Sequence, residues 1–518
     1  MAFQISRRGL AVLSTASAAV GFSGATSFAA DLMTNLGTIN FPNSGNPAAQ
    51  TPFLTGVKAM HNFQFDEAGD AFRAAQAADP AFALAYWGEA MSLNAPLWAR
   101  QDTEKARQVL ARLAPTPEGR AAKAPAGKER GLLSAVEILF GAGDKQTRDI
   151  AYSKAMAAMH TSDPADDELA VFYALSLLGT VRPGERGFRR QMQAGAIALD
   201  VFARNPKHPG AAHFVIHSFD DPEHAILALP AAMAYSKIAA DAPHALHMPS
   251  HIFVQLGMWD RVVASNDVAF KAAVALAERK NLERGGEDFH TLSWLQYGYI
   301  QLGRFDEAKR ALDTARDIER QHPTPKVADG VMSILARYVV DTERWSEMPA
   351  DAAMKGGAEK EDPAHANHRR DNNVDLNIAK GLAAVARRDV AAATAAADAL
   401  AAARTATEAQ PGGAYRAKMV AIGELEVRAA MADANGGAKA AEDLFKQATA
   451  IEATLDAPSG PPQPMKPSFE MYGEFLLKAG RNADAAAQFE LALARTPNRT
   501  QSVQGLARSR PQAADSGG

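Results

Sequence analysis

QLGRFDEAKRALDTA, residues 301–315, reads as the end of one helix, a tight turn at Gly303 and the start of a second helix. Glycine closes a helix at positive φ without steric cost. After the turn, Phe305, Ala308, Leu312 and Ala315 recur at three- and four-residue intervals, which lays an apolar stripe along the second helix. The same spacing returns three times. NFQFDEAGDAFRAAQAADP (62–80) offers Phe65, Ala68, Phe72, Ala75 and Pro80. QLGMWDRVVASNDVAF (255–270) offers Gly257, Trp259, Val262 and Ala269. KAGRNADAAAQFELALARTPN (478–498) offers Gly480, Ala485, Phe489, Ala492 and Pro497, with Gly473 seven residues before the turn. Small residues let two antiparallel helices approach, aromatics fill the gap between neighbouring hairpins, and proline stops the second helix. The chain is therefore expected to be all-α, an α-solenoid of helical hairpins curled around a concave pocket.

These stretches resemble the tetratricopeptide repeat (TPR), a helix–turn–helix unit of about 34 residues. The wording AYWGEAM, APLWARQD, HMPSHIF and PPQPMKP is similar to that of a family of exported bacterial TPR proteins, along most of the chain. That resemblance implies a fold and no particular chemistry. Length agrees with it: 518 residues exceed the roughly 250–300 that one hydrophobic core supports, whereas a repeat array grows in one dimension. Further helices are expected at 129–140, 166–178 and 389–404, and loops at 114–127, 182–187, 355–372 and 457–467. The expected organisation is a leader over 1–30, a TPR-like solenoid over 31–455 with a histidine-rich centre at 208–290, a Pro-rich connector and last repeat over 456–505, and a disordered tail over 506–518.

Charge and the first residues narrow the function. The net charge of −4 comes with no basic stripe, which argues against nucleic acid. Arg7 and Arg8 precede an apolar, small-residue stretch, with Ser27 and Ala29 suited to a cleavage site. This reads as a signal peptide of the twin-arginine type, a route that carries folded proteins, and makes the product periplasmic or secreted. The apolar stretch is shorter than the about 20 residues a membrane span needs, so no span is expected once it is removed. The chain has no cysteine, so a metal site must use His, Asp or Glu.

Seven of the thirteen histidines fall within residues 208–251, in HPGAAHFVIHSFDDPEHA and PHALHMPSH. His213/His217 and His247/His251 are each four apart, so each pair shares one helix face. Imidazole is the commonest metal ligand. The resemblance to TPR units adds a register: with Gly257 fifteenth in its repeat, His244, His247 and His251 take groove-lining positions. His290 and His61 do so in other repeats, as does Glu470 in the last. His213, His217, His247 and His251 are thus the predicted ligands of a transition metal, whether zinc, copper or iron. His244 and His290 are third ligands or proton shuttles. Asp220 and Asp221 are read as orienting acceptors for imidazole N–H groups or as helix caps, with capping favoured for at least one. His61 and Glu470 are pocket candidates, and Glu89 and Asn94 lie close enough in sequence to His61 to join them. His160, His322, His365 and His368 are isolated and are read as packed or solvated. His208 is read as a loop residue, and Trp87, Trp98 and Trp259 as core more than pocket. Two function classes follow: an exported metalloprotein with a His-ligated site on its concave face, whose reaction, if it is an enzyme, is a metal-dependent hydrolysis or oxidoreduction of a small molecule, or a non-catalytic scaffold binding a protein or peptide in its groove.

Overall fold

The computed structural model describes residues 33–185, 187–355 and 363–510, with side chains described from 373 onward in the last span. The leader expected over 1–30 and residues 511–518 lie outside them, as do the side chains of His365 and His368. Three of the four hairpin turns are built identically. Gly257, Gly303 and Gly480 have φ of 64°, 69° and 74°. Each donates its N–H to the carbonyl three residues back in the preceding helix, and the next residue reaches the carbonyl one step further back. Gly257 N bonds Val254 O (3.1 Å) and Met258 N bonds Phe253 O (2.8 Å); Gly303 and Arg304, and Gly480 and Arg481, repeat the pattern. This paired closure satisfies helix carbonyls that would otherwise lack donors. In the first hairpin the same place is held by Phe63, at φ 54°. A bulky residue pays for that conformation in steric strain.

The second helices bury the predicted stripes. Ala68, Phe72 and Ala75 are inaccessible, as are Ala308, Leu312 and Ala315, and Ala485, Phe489 and Ala492. Burying a ring such as Phe72 or Phe489 contributes about 1.5–3 kcal/mol. The result is an all-α, TPR-like solenoid of helical hairpins, with consecutive helices packed on one another from Pro47–His61 to Thr500–Ser509. The predicted helices appear as Lys128–Leu139, Asp167–Leu178 (capped by Asp166) and Val390–Glu408 (capped by Asp389). Strand content among the described residues is a two-residue pairing of Asn94–Ala95 with Arg100–Gln101.

The structure corrects three boundaries, and of these the loop expected at 355–372 gives way at Pro363 to the helix Pro363–Ala386. The loop expected at 114–127 contains the helix Pro117–Lys123, started by the Thr116 hydroxyl on Gly119 N. Order does not end at Gly505, because the last helix runs to Ser509. Gly505 is an interior glycine that lets this helix close on Phe489; a Cβ there would fall 2.3 Å from the ring.

Contacts distant in sequence close Thr34–Gly518 into a single unit. The helix Pro47–His61 packs on the helix Pro209–Ser218. The connector after residue 456 is held by the centre of the chain. Gln255 donates to Pro458 O (2.8 Å), and Arg337 donates to Pro462 O and Met465 O (2.7 and 2.9 Å). Among the described residues, no helix is long and apolar enough to cross a membrane.

Candidate metal centre

Six histidines meet where four helices adjoin. His213 and His217 lie on Pro209–Ser218, whose first turn is fixed by Pro209 and by the His208 Nδ1 accepting from Ala211 N. His244 and His247 lie on Pro243–His247, and His251 on Pro249–Gln255. These last two are one helix interrupted at Met248, because Pro249 has no N–H to give the carbonyl a turn behind. The chain tightens there, with His251 N bonding Met248 O. His290 lies on Glu287–Gln301. The donors form two triads, His213–His217–His244 and His247–His251–His290, and within each the ligand atoms lie within 4.8 Å of one another. His213 and His247 form the floor at 0% and 1% exposure, while His290 is exposed at the rim.

The hydrogen bonds decide which nitrogens are bare. Nδ1–H of His213 donates to the carbonyl oxygen of His61 (2.7 Å). Nδ1–H of His247 donates to Oδ1 of Asn266 (2.7 Å), whose amide orientation is set by its own bond to Val262 O (2.9 Å). Nδ1–H of His251 donates to Asp220 (2.7 Å). A neutral imidazole with its proton on Nδ1 presents a lone pair at Nε2. Yet Nε2 of His247 stands 3.2 Å from Nε2 of His251 and 3.0 Å from Nε2 of His290, and Nε2 of His213 stands 3.1 Å from that of His217. In the His247–His251 pair both Nδ1 hydrogens are committed, so two lone pairs face each other. Only a proton or a metal ion between them relieves that contact. A tetrahedral ion at 2.0–2.1 Å from each nitrogen spaces its ligands roughly 3.3–3.4 Å apart.

Protonation of His213, His217, His244 and His247 is disfavoured. Burial, with the neighbouring histidines adding to it, holds His217, His244 and His247 well below the ordinary imidazole value, and burial pushes His213 down to about 3. The walls are aromatic. Phe63, carried inward by its strained turn, sits 4.3 Å from the His213 ring and 5.6 Å from those of His217 and His244. Trp294 covers His247, His251 and His290 at 4.8, 4.5 and 5.8 Å. An apolar pocket lined by Met60, Phe65, Leu139 and Phe172 lies behind Phe63, through Phe65 stacked on its ring; no histidine lines it.

All six histidines named from sequence are thus brought together. Asp220 orients His251, whereas Asp221 closes the turn before the helix Ala225–Ile238, accepting from Glu223 N and His224 N at 2.9 and 3.0 Å and from the His224 Nδ1–H at 2.9 Å. Four candidates fall elsewhere. The His61 ring turns away to Glu168 and acts on the centre only through its carbonyl. Glu470 spends both oxygens on the buried Arg499 (2.9 and 3.0 Å) and accepts from Ser502 as well. Glu89 is taken by Arg73, Gln76 and Arg112, and Asn94 by Gln101. His208 is a cap rather than a loop residue. Trp87 is core and Trp259 bonds Asn498 O, but Trp98, 45% exposed, does reach the site, 6.2 Å from the His244 ring.

Besides Phe63, three residues escaped sequence reasoning. Trp294 is four after His290, a spacing that places it on the same face. Glu287, three before His290, lies 3.9 Å from His244 Nδ1 and is pushed up to about 7 by burial and by Glu67 and Asp288. Asn266 had no motif to betray it.

A third cluster, His61–Glu168–His208, is of a different kind. His208 Nδ1 accepts a backbone N–H, so its proton is on Nε2, 3.1 Å from Glu168; His61 Nε2 donates to the other oxygen at 2.8 Å. Burial raises the Glu168 carboxyl, but the two rings outweigh it and hold the group well below the usual carboxylate range. Every close nitrogen–oxygen contact here has its hydrogen, and the network needs no ion.

Fold and site together define a helical-repeat protein with a buried histidine nest. No family model matches the chain, and no curated protein matches it. Among solved structures it is similar to yeast Tom70 (11% identity, TM-score 0.33, 89% of this chain and 88% of that one) and to the human IFIT1 dimer with m7Gppp-AAAA (11%, 0.36, 91% and 90%). The Cut9–Hcn1 hetero-tetramer of the APC/C is similar at 11% and 0.34, over 91% and 78%. At such values nothing about activity follows from these likenesses.

Proposed function

We propose that this is an exported, periplasmic protein whose central hairpins hold a transition metal in the histidine nest, open at the His290 rim to a small molecule. The observation that carries this reading is the His247–His251 contact, two bare nitrogens at 3.2 Å with both Nδ1 hydrogens committed elsewhere. His213, His217, His247 and His251 are ligands, with His244 and His290 completing the triads. Asp220, Asn266 and the His61 carbonyl lock the ring orientations, as acceptors behind metal-binding histidines do. A metal there would supply Lewis acidity or redox chemistry, which places a reaction, if the centre is catalytic, among metal-dependent hydrolyses or oxidoreductions. Full-length protein purified without chelator should carry about one or two transition-metal ions by elemental mass spectrometry. The His247→Ala/His251→Ala variant should carry fewer. Absence of stoichiometric metal from the native protein overturns the reading.

One observation favours a scaffold role instead. The helix Ala225–Ile238 leaves Ile226, Leu227 and Met233 exposed at 59%, 48% and 37%, an apolar face of the kind that docks a protein or peptide. Under that reading Ile226→Glu/Leu227→Glu abolishes partner binding, while histidine substitutions leave it intact.

A further inference from the structure

The six imidazoles are two complete ligand sets rather than one surplus set. Each triad offers three nitrogens, enough for one ion with a position left open. The triads also adjoin. The His217 and His251 rings are 6.3 Å apart and the His244 and His247 rings 6.4 Å, no longer than the 6.5 Å between His217 and His244 within one triad. Two ions seated in them would be neighbours.

The ligands are neutral, and so are most of the groups behind them. Neither triad contains a carboxylate, and the backing acceptors of His213 and His247 are a carbonyl and an amide. Asp220, the charged acceptor behind His251, is turned to the Nδ1 side of that ring. Glu287 stands off His244 at 3.9 Å. A pair of divalent ions normally shares a bridging carboxylate that offsets their repulsion, and the described residues place none between these triads. Repulsion between two monovalent ions at the same separation is roughly fourfold smaller than between two divalent ions. Among metals suited to imidazole, copper has a stable monovalent state, and its divalent state heads the affinity order for nitrogen sites.

We infer that the nest is a dinuclear copper centre, one ion per histidine triad, loaded as Cu(I). This rests on the metal-binding reading above and specifies its stoichiometry and metal. The test uses the full chain, stripped of metal and titrated anaerobically with Cu(I) against a chromophoric chelator, with a parallel Zn(II) titration. The expected result is about two copper ions per chain and at most one zinc. His217→Ala, in one triad, and His290→Ala, exposed at the rim of the other, should each lower copper to about one. X-ray absorption on the unmutated protein, which does not depend on variants folding, should show about three nitrogen neighbours per copper and no sulfur. Saturation at one copper, or two zinc ions held as tightly as copper, overturns the dinuclear copper assignment while leaving a metal site standing. No binding of either metal removes both.

Discussion

Acidification should destabilise the metal-free protein in a way that can be traced to one residue. Burial takes His213 from the ordinary value of 6.5 to about 3 in the folded state. Between those values the unfolded chain carries a proton on this residue that the folded chain does not. Stability therefore falls as the pH drops from 6.5 towards about 3, and is fully present above 6.5. At pH 4.5 the gap is two pH units below the unfolded value, and at about 1.4 kcal/mol per unit the loss from His213 alone is about 3 kcal/mol. His217, His244 and His247 are depressed by the same burial and add in the same direction. The perturbation is His213→Gln, which cannot take up the proton and can still donate to His61 O. Urea titrations of chelated protein at pH 7.0 and 4.5, followed by tryptophan fluorescence, measure the two drops in stability. Trp294, edge-on to His247 and tilted against His251, reports from the nest itself. The unmutated protein should lose about 3 kcal/mol more than the variant on going to pH 4.5. Equal losses, or a gain on acidification, would refute the burial argument.

Two further outcomes follow from other contacts. Asp220→Ala removes the acceptor of His251 Nδ1–H, and metal affinity measured by chelator competition should fall about 10- to 100-fold while the fold persists. Arg499→Leu leaves Asp341 and Glu470 buried without their shared cation, and thermal or urea unfolding should show a loss of about 3–5 kcal/mol with metal content unchanged.

The hairpin architecture was legible because its signals are local. Gly257, Gly303 and Gly480 announce their own turns, and the alanine–aromatic stripes after them announce the buried face. The histidine pairs were legible for the same reason, since four-residue spacing on a helix is a statement about direction. What escaped reading is whatever depends on pairs of helices far apart in sequence. Glu470 has a groove-lining spacing, yet Arg499, just ahead of the last helix, claims it. His61 also has the spacing, yet Glu168, 107 residues on, turns its ring away. Phe63 stands where a glycine was due and carries no periodic signature, so its ring at the nest could be found only from the backbone. Asn266 is an ordinary polar residue until the Val262 carbonyl and His247 show what its two amide ends do.

The hydrogen bond from His213 to the His61 carbonyl joins residues 152 apart in the chain. The acceptor behind His251, Asp220, follows in the turn after the His213 helix, and the rings of the second triad come from later helices still, up to Trp294. A ribosome therefore delivers one wall of the nest long before the others, and half-built walls offer no more than a pair of loosely held imidazoles. On the proposed metal-binding reading, tight capture of an ion waits until the chain has been made and folded through its centre. If the nest holds a metal, the compartment in which folding through its centre is completed decides which metal it meets.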